Sequence, residues 1–174
     1  MVENIEYIYR QLNQDDQVRK LSHGDNKYLP LWVYLENNAK NHHLNNLSKT
    51  YVCVTPPRCV VAYITILCSQ IELSGEGILE NAKNFHFPYP AVKIAKLCIK
   101  DGLRGTGIGK SLVKIAIATA KENVSKNVGC RFVVVDSHQD AIQFYKECGF
   151  NLVNSPENIT KQEPIMFLDI GKLD

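Results

Sequence analysis

The stretch AVKIAKLCIKDGLRGTGIGKSLVKIAIATAKE, residues 91–122, decides the fold that we predict for this chain. An apolar strand comes first, a turn with three alternating glycines follows, and a long helix ends the stretch. The first N–H groups of a helix have no intrahelical partner, and the helix dipole adds roughly half a positive charge at that end. A glycine turn that leads into a helix is therefore typical of a phosphate-binding site.

Two familiar phosphate-binding motifs are not met at this turn. The dinucleotide fingerprint G-x-G-x-x-G is not met because its third glycine, Gly109, arrives one residue early, and no acidic residue ends a second strand roughly 20 residues later. The Walker A pattern finds Gly109, Lys110 and Ser111, and the run FVVVD ending at Asp136 is similar to a Walker B strand. Its first glycine position, however, holds Arg104, which does not suit a tight loop around a phosphate.

A third pattern, R/Q-x-x-G-x-G/A, is met by Arg104, Gly107 and Gly109, with the strand directly before it and the helix directly after it. Further on, FVVVDSHQDAIQFYKECGFNLV at residues 132–153 contains a strand, a helix with an F-Y pair and a G-F dipeptide. Together these segments resemble the GNAT superfamily of acetyl-CoA-dependent N-acetyltransferases. The resemblance covers residues 91–153 in detail.

The segment upstream is similar to one branch of that superfamily, the toxins of toxin–antitoxin pairs that acetylate aminoacyl-tRNA. It contains an amphipathic helix, the run NLSKTYVCV, a turn and the run CVVAYITIL. The net charge of +2 is lower than is usual in those toxins, but nine basic residues face two acidic residues between Lys93 and Arg131. This excess is explained equally well by a solvated helix face with strand-end lysines and by an anionic cofactor or substrate near the segment.

The resemblance implies acetyl-CoA as cofactor and assigns its binding to two adjacent segments. The strand before the loop would offer unpaired backbone N–H groups to the pantetheine and the acetyl carbonyl, and the loop would hold the pyrophosphate through its own N–H groups. Ile108 would point back to the core. The cofactor-binding residues are then Leu97, Cys98, Ile99, Arg104, Gly105, Thr106, Gly107, Ile108, Gly109 and Lys110.

Tyr145, in the F-Y pair, matches the position whose phenol protonates the departing coenzyme A thiolate in many relatives, so we predict it as the catalytic general acid. An ordinary tyrosine pKa near 10 keeps a phenol protonated at neutral pH. A core tyrosine with a satisfied hydroxyl is the alternative. A nucleophilic role for Cys98 is disfavoured, because a thiol buried in an apolar strand has a raised pKa and because relatives transfer the acetyl group directly.

Some positions depart from the family pattern or stay open. His138 stands where many relatives carry an Asn or Asp that touches the pantetheine arm. No general base is legible, although Glu72, His86 and Tyr89 lie in or near the loop where we expect the acceptor. Lys96 faces either the acceptor site or solvent.

Composition sets the remaining bounds. With 174 residues, 45% hydrophobic and 22% charged, the chain fits a single acetyltransferase domain over residues 1–174. The six cysteines contain no C-x-x-C pair, and the histidines do not flank them at zinc spacing, so we expect no metal. The N-terminus lacks a basic region followed by an apolar stretch, and no window reaches the ~20 apolar residues of a membrane helix. We expect a cytoplasmic protein with reduced thiols and no membrane partner.

The order of elements predicts an α/β fold with a mixed sheet. We expect a short strand or helix within residues 1–21, an amphipathic helix at residues 27–41 and a hairpin that turns at Pro56 and Pro57. Residues 69–90 should be mostly loop, with a short helix near residues 80–84. A strand at residues 131–135, a helix at residues 140–147 and closing strands at residues 150–153 and 165–168 complete the chain. The resemblance adds a mostly antiparallel sheet with helices on both faces, splayed at the strand before the loop.

The function we predict is direct transfer of an acetyl group from acetyl-CoA to a primary amine. The acceptor that the resemblance favours is the aminoacyl end of a charged tRNA, with a protein amine or a small-molecule amine as alternatives. A non-catalytic coenzyme A-binding module is a third hypothesis, and the presence of Tyr145 argues against it. An antitoxin protein and a second copy of the chain stay open as partners.

Overall fold

A seven-stranded sheet with the strand order β1-β2-β3-β4-β5-β7-β6 is the centre of the fold in the computed structural model, which describes residues 6–18, 26–73 and 88–173. The strands are β1 Ile8–Gln11, β2 Lys49–Thr55, β3 Cys59–Ile71, β4 Tyr89–Ile99, β5 Phe132–Asp136, β6 Asn151–Leu152 and β7 Ile165–Asp169. The helices are α1 Leu29–Tyr34, α2 Lys40–Leu44, α3 Ile108–Ala118, α4 Ile142–Glu147 and α5 Pro156–Ile159. The sheet is mixed and mostly antiparallel, which confirms the predicted fold class.

The predicted amphipathic helix is present, but it contains an irregular turn. A 3-10 turn, Asn26–Tyr28, leads into α1, and a π-helical turn, Leu35–Ala39, joins α1 to α2. Trp32, Leu35 and Ala39 are buried, as their spacing predicts. The helical run ends at Leu44, within the Asn- and His-rich stretch NHHLNN of residues 41–46.

The predicted hairpin is also present. Strands β2 and β3 pair antiparallel, with Tyr51 opposite Ile64 and a register shift between Cys53 and Val54. Strand β1 pairs antiparallel with the other edge of β2, so the N-terminal segment is a strand. The two prolines stand in the turn because they cannot donate to a strand ladder.

The C-terminal part is an antiparallel arrangement in which β7 pairs with both β5 and β6. The predicted strand of residues 131–135 runs from Phe132 to Asp136. The predicted helix of residues 140–147 begins with a 3-10 turn, Gln139–Ala141, and continues as α4. The four-residue helix α5 was not predicted.

Two compact units can be distinguished by their internal contacts. The first contains Met1–Leu67 and Ile94–Ala116, and the second contains Cys68–Lys93 and Ile117–Asp174. A single domain over residues 1–174 stays a prediction, as does the splay of β4. The helix expected near residues 80–84 lies outside the described residues. Within the described ranges, no helix is long and apolar enough to cross a membrane.

Candidate active site

The turn before α3 has the conformation that its glycines predict. Gly105 and Gly107 have φ of +79° and +90°, which side chains of L-residues rarely adopt. A Cβ at either glycine would meet nothing within 4 Å in the described part of the chain, so the backbone of the loop borders open space. Helix α3 then begins with Ile108, which is buried as expected, and the first helical bond joins Ser111 N–H to the carbonyl of Gly107 at 3.0 Å.

Arg104 connects this loop to Asp101 and to Tyr28 within the first unit. Its Nη2 lies 2.8 Å from Oδ1 of Asp101, and its guanidinium carbon lies 3.8 Å from the ring centroid of Tyr28. Within the loop, Thr106 Oγ1 donates a hydrogen bond of 2.6 Å to the carbonyl of Leu103. Residues 104–107 are otherwise exposed, as a ligand-binding turn requires.

The strand segment ahead of the loop presents little side-chain chemistry. Cys98 is 2% exposed and belongs to a core cluster with Trp32 and Tyr63. Burial raises the pKa of its thiol to about 12, so almost none of it is thiolate at neutral pH. Leu97 and Ile99 are half-buried. Any contact of this segment with a ligand would therefore be made mainly by the main chain.

Lys96, whose orientation the sequence leaves open, lies against an aromatic ring. Its Nζ is 4.7 Å from the ring centroid of Tyr34. The Tyr34 hydroxyl is in turn 3.3 Å from His42 Nδ1 and 3.2 Å from Ser48 Oγ. The ammonium is therefore held over a fixed ring by a cation–π contact.

Tyr145 is a buried residue of α4. It is 5% exposed and makes edge-to-face contacts with Phe144 and Phe150, at centroid distances of 5.1 and 5.5 Å. Burial raises the pKa of its phenol above the ordinary value of 10, so the hydroxyl keeps its proton throughout the physiological range. The catalytic assignment of Tyr145 stays a prediction.

The other positions named as acid–base or cofactor groups differ in their surroundings. His138 is exposed, and its Nε2 lies 3.3 Å from Oε1 of Glu163. Tyr89 packs edge-to-face on Phe132, with 5.6 Å between the ring centroids. Glu72 is exposed, and His86 lies outside the described residues.

The basic excess between Lys93 and Arg131 is partly neutralised by the fold. Four of these cations pair with carboxylates, and the pairs are Lys93 with Asp136, Arg104 with Asp101, Lys126 with Glu122, and Arg131 with Asp169. Lys114 on α3 is exposed. The local excess is therefore a weaker sign of an anionic partner than the sequence suggests.

Sequence reasoning missed Tyr28 and Tyr9. Tyr28 stands at the start of the predicted amphipathic helix, and no periodicity links it to Arg104. Tyr9 on β1 hydrogen-bonds Ser111 in the first turn of α3 and also contacts the thiol of Cys53. Both are contacts between segments far apart in the sequence, for which one sequence offers no local signal.

The loop fits the pyrophosphate of coenzyme A on its own geometry. Two glycines with positive φ, the open space beside them and the N-terminus of an 11-residue helix are the features that a phosphate-binding turn requires. Among the described residues, no group of three His, Cys, Asp or Glu side chains could hold a metal ion.

Comparison with known proteins gives a consistent result. The family model described as an acetyltransferase (GNAT) domain matches residues 56–152. The structure of AtaT complexed with acetyl-methionyl-tRNAfMet aligns over 95% of this chain and 96% of that chain, with a TM-score of 0.80 and 22% identity.

Two further solved structures have the same fold. A tyrosine-to-phenylalanine mutant of KacT aligns over 95% of both chains, with a TM-score of 0.81 and 18% identity. A mutant of the AtaT toxin bound to the C-terminus of the antitoxin AtaR and acetyl-CoA aligns over 95% of this chain and 94% of that chain, with a TM-score of 0.73 and 22% identity. At these identities the likeness establishes the fold.

Proposed function

This chain belongs to the acetyltransferase (GNAT) family, and we propose that it moves the acetyl group of acetyl-CoA to the amino group of the aminoacyl residue on a charged tRNA. One observation carries the choice of acceptor. The fold agrees, over nearly the whole of both chains, with that of AtaT, which has been solved with acetyl-methionyl-tRNAfMet. The AtaT structure that contains the C-terminus of the antitoxin AtaR supports an antitoxin protein as partner. The cytoplasm is the location that we propose with this function.

Under this proposal the main chain binds the acetyl donor. The N–H groups of Gly105, Gly107 and the first turn of α3 would hold the pyrophosphate, and Arg104 would keep the loop in place. The N–H groups of Leu97 to Ile99 would orient the acetyl carbonyl. Acetyl-CoA supplies an activated thioester, so the chain's task is mainly to position it beside the amine.

Tyr145 would complete the reaction as general acid. When the N–C bond of the new amide forms and the C–S bond breaks, the Oη proton of Tyr145 would pass to the departing thiolate. The amine would lose its proton to solvent, and solvent would return a proton to the Tyr145 phenolate. Burial raises the pKa of this phenol, so Tyr145 enters the reaction with its proton in place at neutral pH.

The test compares tRNA acceptors with and without a free aminoacyl amino group. Purified protein and acetyl-CoA are incubated with charged tRNA, with the same tRNA deacylated, and with charged tRNA whose amine is already acetylated. We expect thiol release only with the first, and mass spectrometry of the released amino acid should show one added acetyl group.

A panel of protein amines and small amines tests the alternatives. Transfer to one of these at a rate above that with charged tRNA would reassign the acceptor and keep the acetyltransferase. Tight binding of coenzyme A with no transfer to any acceptor would favour a non-catalytic binding module and overturn the proposed reaction.

A further inference from the structure

The loop that we assign to the pyrophosphate has few constraints of its own. Residues 104–107 are exposed, and two of the four are glycines with positive φ, which have more freedom than other residues in the absence of a ligand. The hydrogen bond from Thr106 to Leu103 and that from Leu103 N–H to the carbonyl of Lys100, at 3.0 Å, shape the turn from within. Neither fixes the turn to the rest of the unit.

Arg104 provides that outward connection by stacking on the ring of Tyr28. At 3.8 Å between the guanidinium carbon and the ring centroid, the guanidinium lies against the ring face. The carboxylate of Asp101 binds the same guanidinium at 2.8 Å, so the side chain is held by a charge and by a ring. Arg is the cation best suited to this arrangement, because its planar group stacks on an aromatic face while it donates to a carboxylate.

Tyr28 is itself firmly placed. It ends the 3-10 turn Asn26–Tyr28 that leads into α1, and it packs against the core cluster that contains Trp32, Tyr63 and Cys98. Cys98 belongs to β4, the strand that leads to the loop. The loop is thus joined to one core twice, through β4 and through the Tyr28 ring.

We propose that Tyr28 is a positioning residue for the cofactor, which acts through Arg104 to hold the glycine loop in its binding conformation before acetyl-CoA arrives. This inference rests on the proposed function, since it takes the loop as the pyrophosphate site. A preformed loop loses less conformational entropy on binding, so the affinity gained appears in the dissociation constant for the cofactor. The transfer step itself does not involve Tyr28.

The experiment measures coenzyme A binding by calorimetry in Tyr28→Ala, Tyr28→Phe and Lys27→Ala. A cation–π contact of about 0.5–2 kcal/mol corresponds to a rise in Kd of about two- to thirtyfold for Tyr28→Ala. Tyr28→Phe keeps a ring and should bind within about twofold of wild type. Lys27, whose Nζ lies 4.8 Å from the same ring but which is not part of the loop, provides the control and should leave Kd unchanged.

Two further measurements separate positioning from general destabilisation. Hydrogen exchange of the free protein should accelerate at Gly105 to Gly107 in Tyr28→Ala and not in Tyr28→Phe. In a double-mutant cycle, Tyr28→Ala should add little to the Kd of Arg104→Ala, because both remove the same contact. The kcat of Tyr28→Ala with saturating acetyl-CoA should equal that of wild type.

Equal Kd values and equal loop exchange in wild type and Tyr28→Ala would overturn the inference, and so would fully additive effects of the two substitutions. Failure of the proposed function gives a different result. In that case wild type binds coenzyme A and Tyr28→Ala binds it more weakly, yet charged tRNA is not acetylated.

Discussion

The glycine loop of residues 104–107 and helix α4, which carries Tyr145, are built in opposite ways. The loop is exposed and owes its shape to positive φ at Gly105 and Gly107. Tyr145 is 5% exposed, and two phenylalanine rings fix its orientation. A site built from main-chain N–H groups depends on backbone angles, whereas a site built on one hydroxyl depends on a single atom.

Burial alone does not give a tyrosine a chemical role, as Tyr63 illustrates. Its phenol is also buried, and burial raises its pKa just as it raises that of Tyr145. The Tyr63 hydroxyl, however, donates a 2.5 Å hydrogen bond to the carbonyl of Leu31, so its proton is used for structure. Substitutions at these positions test whether the two regions differ in this way.

The largest effect is expected for Tyr145→Phe. Removal of a general acid lowers kcat by about 10²–10⁴-fold, while the fold and the Kd for acetyl-CoA should stay as in wild type. Thiol release and calorimetry on the same preparations measure both quantities. A wild-type kcat in Tyr145→Phe would place Tyr145 with Tyr63 among the structural tyrosines.

A smaller effect is expected for Gly107→Ala. A side chain at a φ of +90° costs about 1–2 kcal/mol, so the Kd for coenzyme A should rise about tenfold with little change in kcat. Gly129 is the matched control, because a Cβ there meets nothing within 4 Å in the described structure and its φ is not in the left-handed region. Similar losses in Gly107→Ala and Gly129→Ala would show that loop conformation does not govern binding.

The sequence predicted the local conformation at this site but not the contacts between segments that lie far apart in the chain. The glycine turn and the strand before it could be predicted because a positive φ and an apolar run are properties of adjacent residues. The stacking of Arg104 on Tyr28 joins segments far apart in the chain, so no window contains it. Helix α5 did have a local signal, since Ser155 accepts a hydrogen bond from Asn158 N–H as its N-cap, but four residues are too few for a visible period.

Next in size is Tyr63→Phe, which tests the structural side of the contrast. Loss of the hydrogen bond to Leu31 should lower the free energy of unfolding by about 1 kcal/mol and leave kcat unchanged. Because burial raises the pKa of Tyr63, wild type loses stability as pH rises above the unfolded value of about 10, and the variant lacks that titration. The stability gap should therefore narrow above pH ~10 in denaturant titrations, and a gap that widens would contradict the assignment.

The smallest effect on activity is expected for Cys98→Ala, which tests whether the strand segment acts through its main chain. The side chain lies in the core with Trp32 and Tyr63, and its pKa of about 12 leaves it un-ionised at neutral pH. Its truncation should cost about 1 kcal/mol of stability, while kcat and the Kd for acetyl-CoA stay within about twofold of wild type. A loss of kcat as large as that of Tyr145→Phe, with the fold intact, would instead make the thiol a reacting group. Retained activity would agree with a strand that acts through its backbone N–H groups, as we propose for the glycine loop.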